Sequence, residues 1–275
     1  MQVPNIELNN NQKIPQVGLG LWQVKDQADF DQTFNHAVKV GYRHFDSAQA
    51  YENEQFLGNA WKASGLNRDE LFITTKIRWQ RFEYDDAIAS FEESITKLQT
   101  DYVILLLLHW PTKGTLVDGW RAFEKIHSDG RALSIGVSNY TIENLKQMKE
   151  YSHIKPAVNQ VEQHVFLQQP DLLEYCRSED IAVEAYSPLA QASAMGNDPS
   201  INEIAIKHGR TYAQIMLRWL VQNGLVILPK SITPSRIAEN FEVFDFTLDD
   251  DDMSQLATLN RNLRTCSDPT NGNLA

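Results

Sequence analysis

Only two cysteines, Cys176 and Cys266, occur in 275 residues, and neither stands in a C-x-x-C or Cys/His spacing. That excludes a disulfide framework and a sulfur-bound zinc site, and makes a reducing cytoplasm the expected location. No apolar run approaches the ~20 residues that span a bilayer, and the N-terminus lacks the basic then apolar regions of an export signal. Positive charge is scarce as well: 25 Lys and Arg against 36 Asp and Glu leave a net charge of −11. Bulk attraction to nucleic acid or to an anionic membrane is thereby disfavoured, so any phosphate must be met by a local cationic cluster. The usual nucleotide fingerprints are missing too. Gly18-Leu19-Gly20 lacks the third glycine of G-x-G-x-x-G, and there is no P-loop and no H-E-x-x-H. His164 and Glu162 form a pair only, which makes no metal site.

What is present is an alternation. Short β-rich runs at 17–19, 42–45, 71–75, 102–108, 132–137, 157–161, 181–185 and 226–228 make eight strands. Segments of helical period lie between them, at 30–40, 54–63, 87–98, 120–127, 142–151, 172–177 and the pair 201–208 and 212–222. Strands alternating with helices imply parallel pairing through right-handed crossovers. The run 104–108 is continuously apolar, as suits a strand covered on both sides. Two apolar patches flank Asn9-Asn10-Asn11-Gln12, which predicts a hairpin plugging one barrel end. The expectation is an α/β protein, a (β/α)8 TIM barrel with a short N-terminal β-hairpin and extra C-terminal helices, spanning 1–275 as one domain.

Chemistry-bearing residues follow the second, third and fourth strands: Asp46 with Tyr51, Lys76, and His109. Each is one βα unit from the next, so a barrel brings all four side chains to its C-terminal face. Taken singly, a Lys or His at a strand end is more often a snorkelling or structural residue; the joint placement argues for a site. A phenol donates a proton poorly at neutral pH unless the phenolate is stabilised. Lys76 is expected to lower the Tyr51 pKa, Asp46 to keep Lys76 charged against desolvation, and His109 to orient a carbonyl. None of the four is a hydride source, so a reducing cofactor must supply it. Asn53 is expected to cap the helix after Tyr51, and His44 to be a hydrogen-bonded interior residue. Asp249, Asp250, Asp251 and Asp252 suit a helix N-terminus rather than a calcium loop.

These residues resemble the aldo-keto reductase superfamily, nearest its bacterial branch acting on glyoxals and diketogluconates, over nearly the whole chain. The motifs are Asp46-Ser47-Ala48-Gln49-Ala50-Tyr51-Glu52-Asn53-Glu54, Thr74-Thr75-Lys76, His109-Trp110-Pro111, Gly136-Val137-Ser138-Asn139, Asn159-Gln160-Val161-Glu162 and Tyr186-Ser187-Pro188-Leu189. The resemblance implies that Asp46, Tyr51, Lys76 and His109 are catalytic. It also implies that Ser138, Asn139 and Gln160 bind the nicotinamide carboxamide and that the ring stacks on Tyr186. Contacts are further implied for Ser187, Leu189, Ile232 and Thr233. Pro229-Lys230-Ser231-Ile232-Thr233-Pro234-Ser235-Arg236-Ile237-Ala238-Glu239-Asn240 is similar to the family's adenosine 2'-phosphate site. Lys230, Ser231 and Arg236 would take the phosphate, Glu239 and Asn240 the adenine, and NADPH would be preferred over NADH.

Trp22 and Trp110 match aromatic pocket positions. Where the family often has Trp two residues after the lysine, this chain has Arg78, with Trp79 next, which predicts a preference for anionic carbonyls. A short loop at 190–199 and a brief tail after Leu263 predict an open pocket and broad specificity. The implied activity is reduction of small aldehydes and ketones (glyoxals, keto sugars or keto acids) by a cytoplasmic monomer without nucleic-acid or membrane partners. The alternatives are an alcohol dehydrogenase working oxidatively and a non-catalytic NADPH-binding accessory protein. Retention of all four residues argues against the last.

Overall fold

The structure, a computed structural model, describes residues 3–112, 116–191 and 198–270; residues 192–197 of the loop at 190–199 lie outside them. Eight parallel strands form one sheet: β3 (Leu19–Gly20), β4 (His44–Asp46), β5 (Phe72–Ile77), β6 (Val103–Leu108), β7 (Ala132–Ser138), β8 (Val158–Glu162), β9 (Ala182–Tyr186) and β10 (Val226–Leu228). Each pairs with its neighbour in chain order, as one βα unit after another requires. The ring closes where Val17 bridges Ile227 in parallel, with Gly18 N donating to Ile227 O at 2.9 Å and Ile227 N to Gln16 O at 3.0 Å. Gly18 is required here, because a Cβ would stand 2.6 Å from His44 Nδ1 and 2.8 Å from Leu228 Cδ2.

The helices α1 (Gln27–Val40), α2 (Glu54–Ser64), α3 (Tyr84–Leu98), α4 (Leu116–Ser128), α5 (Ile142–Met148), α6 (Pro170–Ser178), α7 (Pro199–His208) and α8 (Tyr212–Gln222) occupy the connections. Two more, α9 (Pro234–Phe241) and α10 (Asp250–Ala257), follow β10. Local chemistry starts several of them. The Thr211 side chain accepts from Gln214 N at α8, and Asp249 accepts from Asp252 N at α10, whose acidic first turn is the one expected.

β6 shows why a strand can be apolar throughout. Leu106 and Leu108 join the large core beneath the helices, whereas Leu105 and Leu107 join a smaller cluster inside the barrel with Leu8, Ile14 and Val158. Each such fully buried leucine contributes about 1.5–3 kcal/mol. Leu8 and Ile14 belong to the hairpin formed by β1 (Asn5–Glu7) and β2 (Lys13–Pro15). Its turn is pinned by Asn10 Nδ2 donating to Leu133 O at 2.9 Å and Asn9 Nδ2 to Pro156 O at 3.0 Å, at the N-terminal ends of β7 and β8. The hairpin therefore closes the N-terminal end and leaves the C-terminal face for chemistry.

Candidate active site

β4 and β5 are in register at Asp46 and Thr74, and β5 and β6 at Lys76 and Leu107. Asp46 is therefore the last residue of β4 rather than a loop residue, and β5 runs through Lys76 to Ile77. Lys76 Nζ donates to Asp46 Oδ1 at 2.5 Å, to Ser47 O at 2.9 Å and to the Tyr51 hydroxyl at 3.3 Å. Three donors meet three acceptors, so the buried ammonium is fully satisfied. Tyr51 comes within reach because residues Gln49–Tyr51 form a 3-10 turn, closed by Glu52 in the left-handed region at φ 59. Gln49 braces that turn, its amide donating to Ser90 O at 2.7 Å and Ser94 Oγ at 3.0 Å.

The capping role expected of Asn53 is not the observed one. Asn53 precedes α2 but makes no side-chain cap. Its amide donates instead to Leu21 O at 2.8 Å and Val24 O at 3.2 Å, and its Oδ1 accepts from Ser47 Oγ at 2.8 Å. It ties the segment after β3 to the Tyr51 turn, because those buried carbonyls need a donor more than the helix end does.

His109 follows β6, with its ring edge-on to Tyr51 at 5.8 Å and to Trp79 at 5.9 Å between centroids. Burial, then the charges of Lys76 and Arg78, hold its pKa well below the usual histidine value. It is a neutral imidazole at physiological pH, able to donate one hydrogen bond. Burial pulls Lys76 downward, but Asp46 and Tyr51 outweigh it and the net direction is up, as expected. At Tyr51 the ammonium of Lys76 acts in the expected direction, yet the net shift is upward. Burial raises its pKa by more than the neighbouring ammonium lowers it, so the free protein holds a protonated phenol.

The other side of the site comes from β7, β8 and β9. Ser138 Oγ donates to Gln160 O at 2.9 Å, Asn139 Nδ2 donates to His109 O at 3.1 Å, and the Tyr186 hydroxyl donates to Asn139 Oδ1 at 2.7 Å. Gln160 Nε2 donates to Asp46 Oδ2 at 2.8 Å, joining the two halves across the barrel. His44 Nε2 lies 3.2 Å from Thr74 Oγ1 below them, the interior role expected of it. Beyond β10, Lys230 and Arg236 are exposed and form no ion pair among the described residues, with Ser231 and Asn240 buried between and behind them. Ile232 and Thr233 are exposed beside them. Glu239 is partly engaged, one carboxylate oxygen accepting from Thr211 Oγ1 at 2.6 Å. Leu189 is half-buried after β9.

A cavity of about 580 Å³ opens among these groups, bordered by Asp46, Tyr51, His109, Ser138, Asn139, Gln160, Tyr186, Ser187 and Lys230. Trp22, Trp79 and Trp110 give it aromatic walls. Arg78 is not among its lining residues, which corrects the pocket role expected of it. The Arg78 guanidinium turns away, donating to Gln49 O at 2.8 Å and Glu52 Oε1 at 3.0 Å, where a carbonyl and a carboxylate satisfy it. Thr265, Cys266 and Ser267, unmarked by sequence reasoning, form a further wall. The first two are held by the buried Glu162, which accepts from Thr265 N and Thr265 Oγ1, each at 2.6 Å, and from Cys266 N at 3.2 Å. Glu162 also lies 3.1 Å from His164 Nε2, and no group of three His, Cys, Asp or Glu among the described residues is placed to hold a metal ion.

The profile of the Aldo/keto reductase family matches residues 16–261. The chain is 41% identical over 264 residues to a glyoxal reductase of Bacillus subtilis (strain 168), covering 96% of this chain and 95% of that one. An aldo-keto reductase from a Medee basin deep-sea metagenome library superposes with a TM-score of 0.94 at 40% identity, covering 97% of this chain and 98% of its own. A Bombyx mori aldo-keto reductase in complex with NADP gives a TM-score of 0.92 at 31% identity, with 97% and 96% covered. Fold, motifs and near-complete coverage together lead to one conclusion: the chain belongs to the aldo/keto reductase family.

Proposed function

We propose that this protein is an NADPH-dependent reductase of small aldehydes and ketones, with glyoxals as the leading substrate class. The observation that carries the reading is the placement of Tyr51, Asp46 and His109 around one aromatic-walled cavity, with Lys76 buried behind them and hydrogen-bonded to Asp46 and Tyr51. The residues present fit the cofactor. Tyr186 and the amides of Asn139 and Gln160 line the cavity floor, and Lys230 and Arg236 are cations without carboxylate partners among the described residues. A dianionic 2'-phosphate would be met there by charge and by the Ser231 hydroxyl.

When bound, NADPH supplies the hydride that reduces the carbonyl carbon. His109, neutral and buried, donates a hydrogen bond to the substrate oxygen and sets its direction. Tyr51 delivers its proton to the same oxygen as negative charge develops there. The phenol is protonated before that moment, as burial ensures, and Lys76 stabilises the phenolate left afterwards. Asp46 keeps Lys76 cationic throughout. By microscopic reversibility the same groups serve alcohol oxidation, with direction set by the cofactor ratio.

The glyoxal reductase among the relatives and the tryptophan walls favour small neutral carbonyls, and a reducing cytoplasm suits the two free cysteines. Consumption of NADPH over methylglyoxal, aromatic aldehydes, aldoses and keto acids tests the reading, with Tyr51→Phe as the comparison. A loss of about 10²–10⁴-fold in the variant is expected for a missing proton donor. Wild-type protein that binds NADPH but reduces nothing on the panel would sink the catalytic reading and favour an accessory role.

A further inference from the structure

One buried carboxyl is not used by the chemistry above. Glu184 on β9 is in register with Gln160 on β8 and has no exposed surface. Gln160 Nε2 lies 2.9 Å from Glu184 Oε2 and 2.8 Å from Asp46 Oδ2, so one amide nitrogen spends both hydrogens on two carboxyl groups. The other Glu184 oxygen has no hydrogen-bond partner, and His44 Nε2 stands 3.6 Å from it.

The groups facing Glu184 can be named element by element. β8 contributes Gln160 and β10 the uncharged Val226, while across the barrel β4 contributes His44 and Asp46 and β5 contributes Lys76. Lys76 is the one cation of this set, and Asp46 already matches it. A second carboxylate would stand without a countercharge in an interior closed to water, so charge balance requires Glu184 to be neutral. Burial and then the charge of Asp46 push its pKa up to about 8, in the same direction. Burial also keeps His44 neutral, holding its pKa down to about 3.

This arrangement sets the Gln160 amide. With Nε2 held against two carboxyls, its carbonyl oxygen is left for the cavity that Gln160 lines. Turned over, the amide would press that oxygen against the Asp46 carboxylate. We propose that Glu184 is a positioning residue for cofactor binding: its neutral carboxyl locks the Gln160 amide with the carbonyl oxygen toward the cavity, and its ionisation places a negative charge behind that amide, favouring the oxidised, cationic nicotinamide over the reduced, neutral one. The inference rests on the NADPH reading above.

The test is binding rather than turnover. Quenching of tryptophan fluorescence yields Kd for NADPH and NADP+ with wild type, Glu184→Gln and Glu184→Leu at about pH 6.5 and about pH 9, either side of the Glu184 transition. In wild type the ratio of the NADP+ to the NADPH Kd should fall by about threefold or more as pH rises, a modest screened charge effect. Glu184→Gln, which keeps an acceptor for Gln160 and cannot ionise, should hold the low-pH wild-type ratio at both pH values. Glu184→Leu should weaken binding of both forms by about tenfold, since Gln160 loses an acceptor that fixes it. The same pH response in wild type and Glu184→Gln, or undiminished affinity in a folded Glu184→Leu protein, would overturn the proposal. Wild type that bound neither nucleotide would overturn the NADPH reading and this inference with it.

Discussion

The Lys76 ammonium lies 2.5 Å from Asp46 Oδ1, and both groups are buried in the barrel. Removing one member of such a pair strands the other. Lys76→Met should therefore cost about 3–5 kcal/mol, read as the change in urea unfolding free energy. Adding Asp46→Leu should recover part of that loss, because two apolar groups leave no stranded charge. A Lys76→Met protein as stable as wild type would contradict the pairing.

The buried titratable groups make stability depend on pH in two opposed ways. For Glu184, with its pKa raised to about 8, the native state holds a proton that the unfolded chain has lost above its ordinary carboxylate range. Its contribution is complete at low pH and declines as pH rises toward about 8. His44 is depressed to about 3, so the unfolded chain binds the extra proton and stability declines as pH falls below the usual histidine range. Between about pH 6.5 and about pH 8 the Glu184 effect acts without opposition from His44, with a slope of at most about 1.4 kcal/mol per pH unit. Denaturation of wild type and Glu184→Gln across that window should show a downward slope that the variant lacks.

Lys230 and Arg236 should decide between the phosphorylated and unphosphorylated cofactor. Arg236→Ala removes one of two free cations beside Ser231, and the NADPH to NADH affinity ratio should drop by about tenfold, the worth of one charge-assisted hydrogen bond. Kd values for both nucleotides check this. An unchanged ratio would refute the assignment.

The turned-away Arg78 reverses the expectation its position in the sequence suggests. Its guanidinium is spent on Gln49 O and Glu52, whereas Trp79 meets the cavity beside His109. Arg78→Leu should leave the preference between keto acids and neutral aldehydes within about twofold, the usual size of an exposed charge effect. Trp79→Ala should raise KM for aromatic aldehydes by about tenfold through lost ring contact. Kinetics on paired acidic and neutral substrates distinguish the two positions.

Glu184 lies at a boundary of what the sequence makes legible. It stands two residues before Tyr186 on β9, so the period of a strand already places it on one face with a residue assigned to the site, and that signal was open to reading. Arg78 and Trp79 show the opposite case. Adjacent residues at a strand exit can exchange which one faces a cavity, and the choice depended on Glu52 and Gln49, which a one-dimensional pattern does not bring near.

By itself the sequence determined the eight βα units, the hairpin plug and the meeting of Asp46, Tyr51, Lys76 and His109. Those follow from short-range regularities: apolar periods within each element, turn residues between them, and polar residues at successive strand ends. Tertiary structure alone decided the net protonation of Tyr51, the use of Asn53 as a brace, the clamp of Glu162 on Thr265 and the bridge from Gln160 to Asp46. The last two join positions 103 and 114 residues apart. Such partners leave no periodic trace along the chain, and the burial that sets their charge exists only once the barrel has closed.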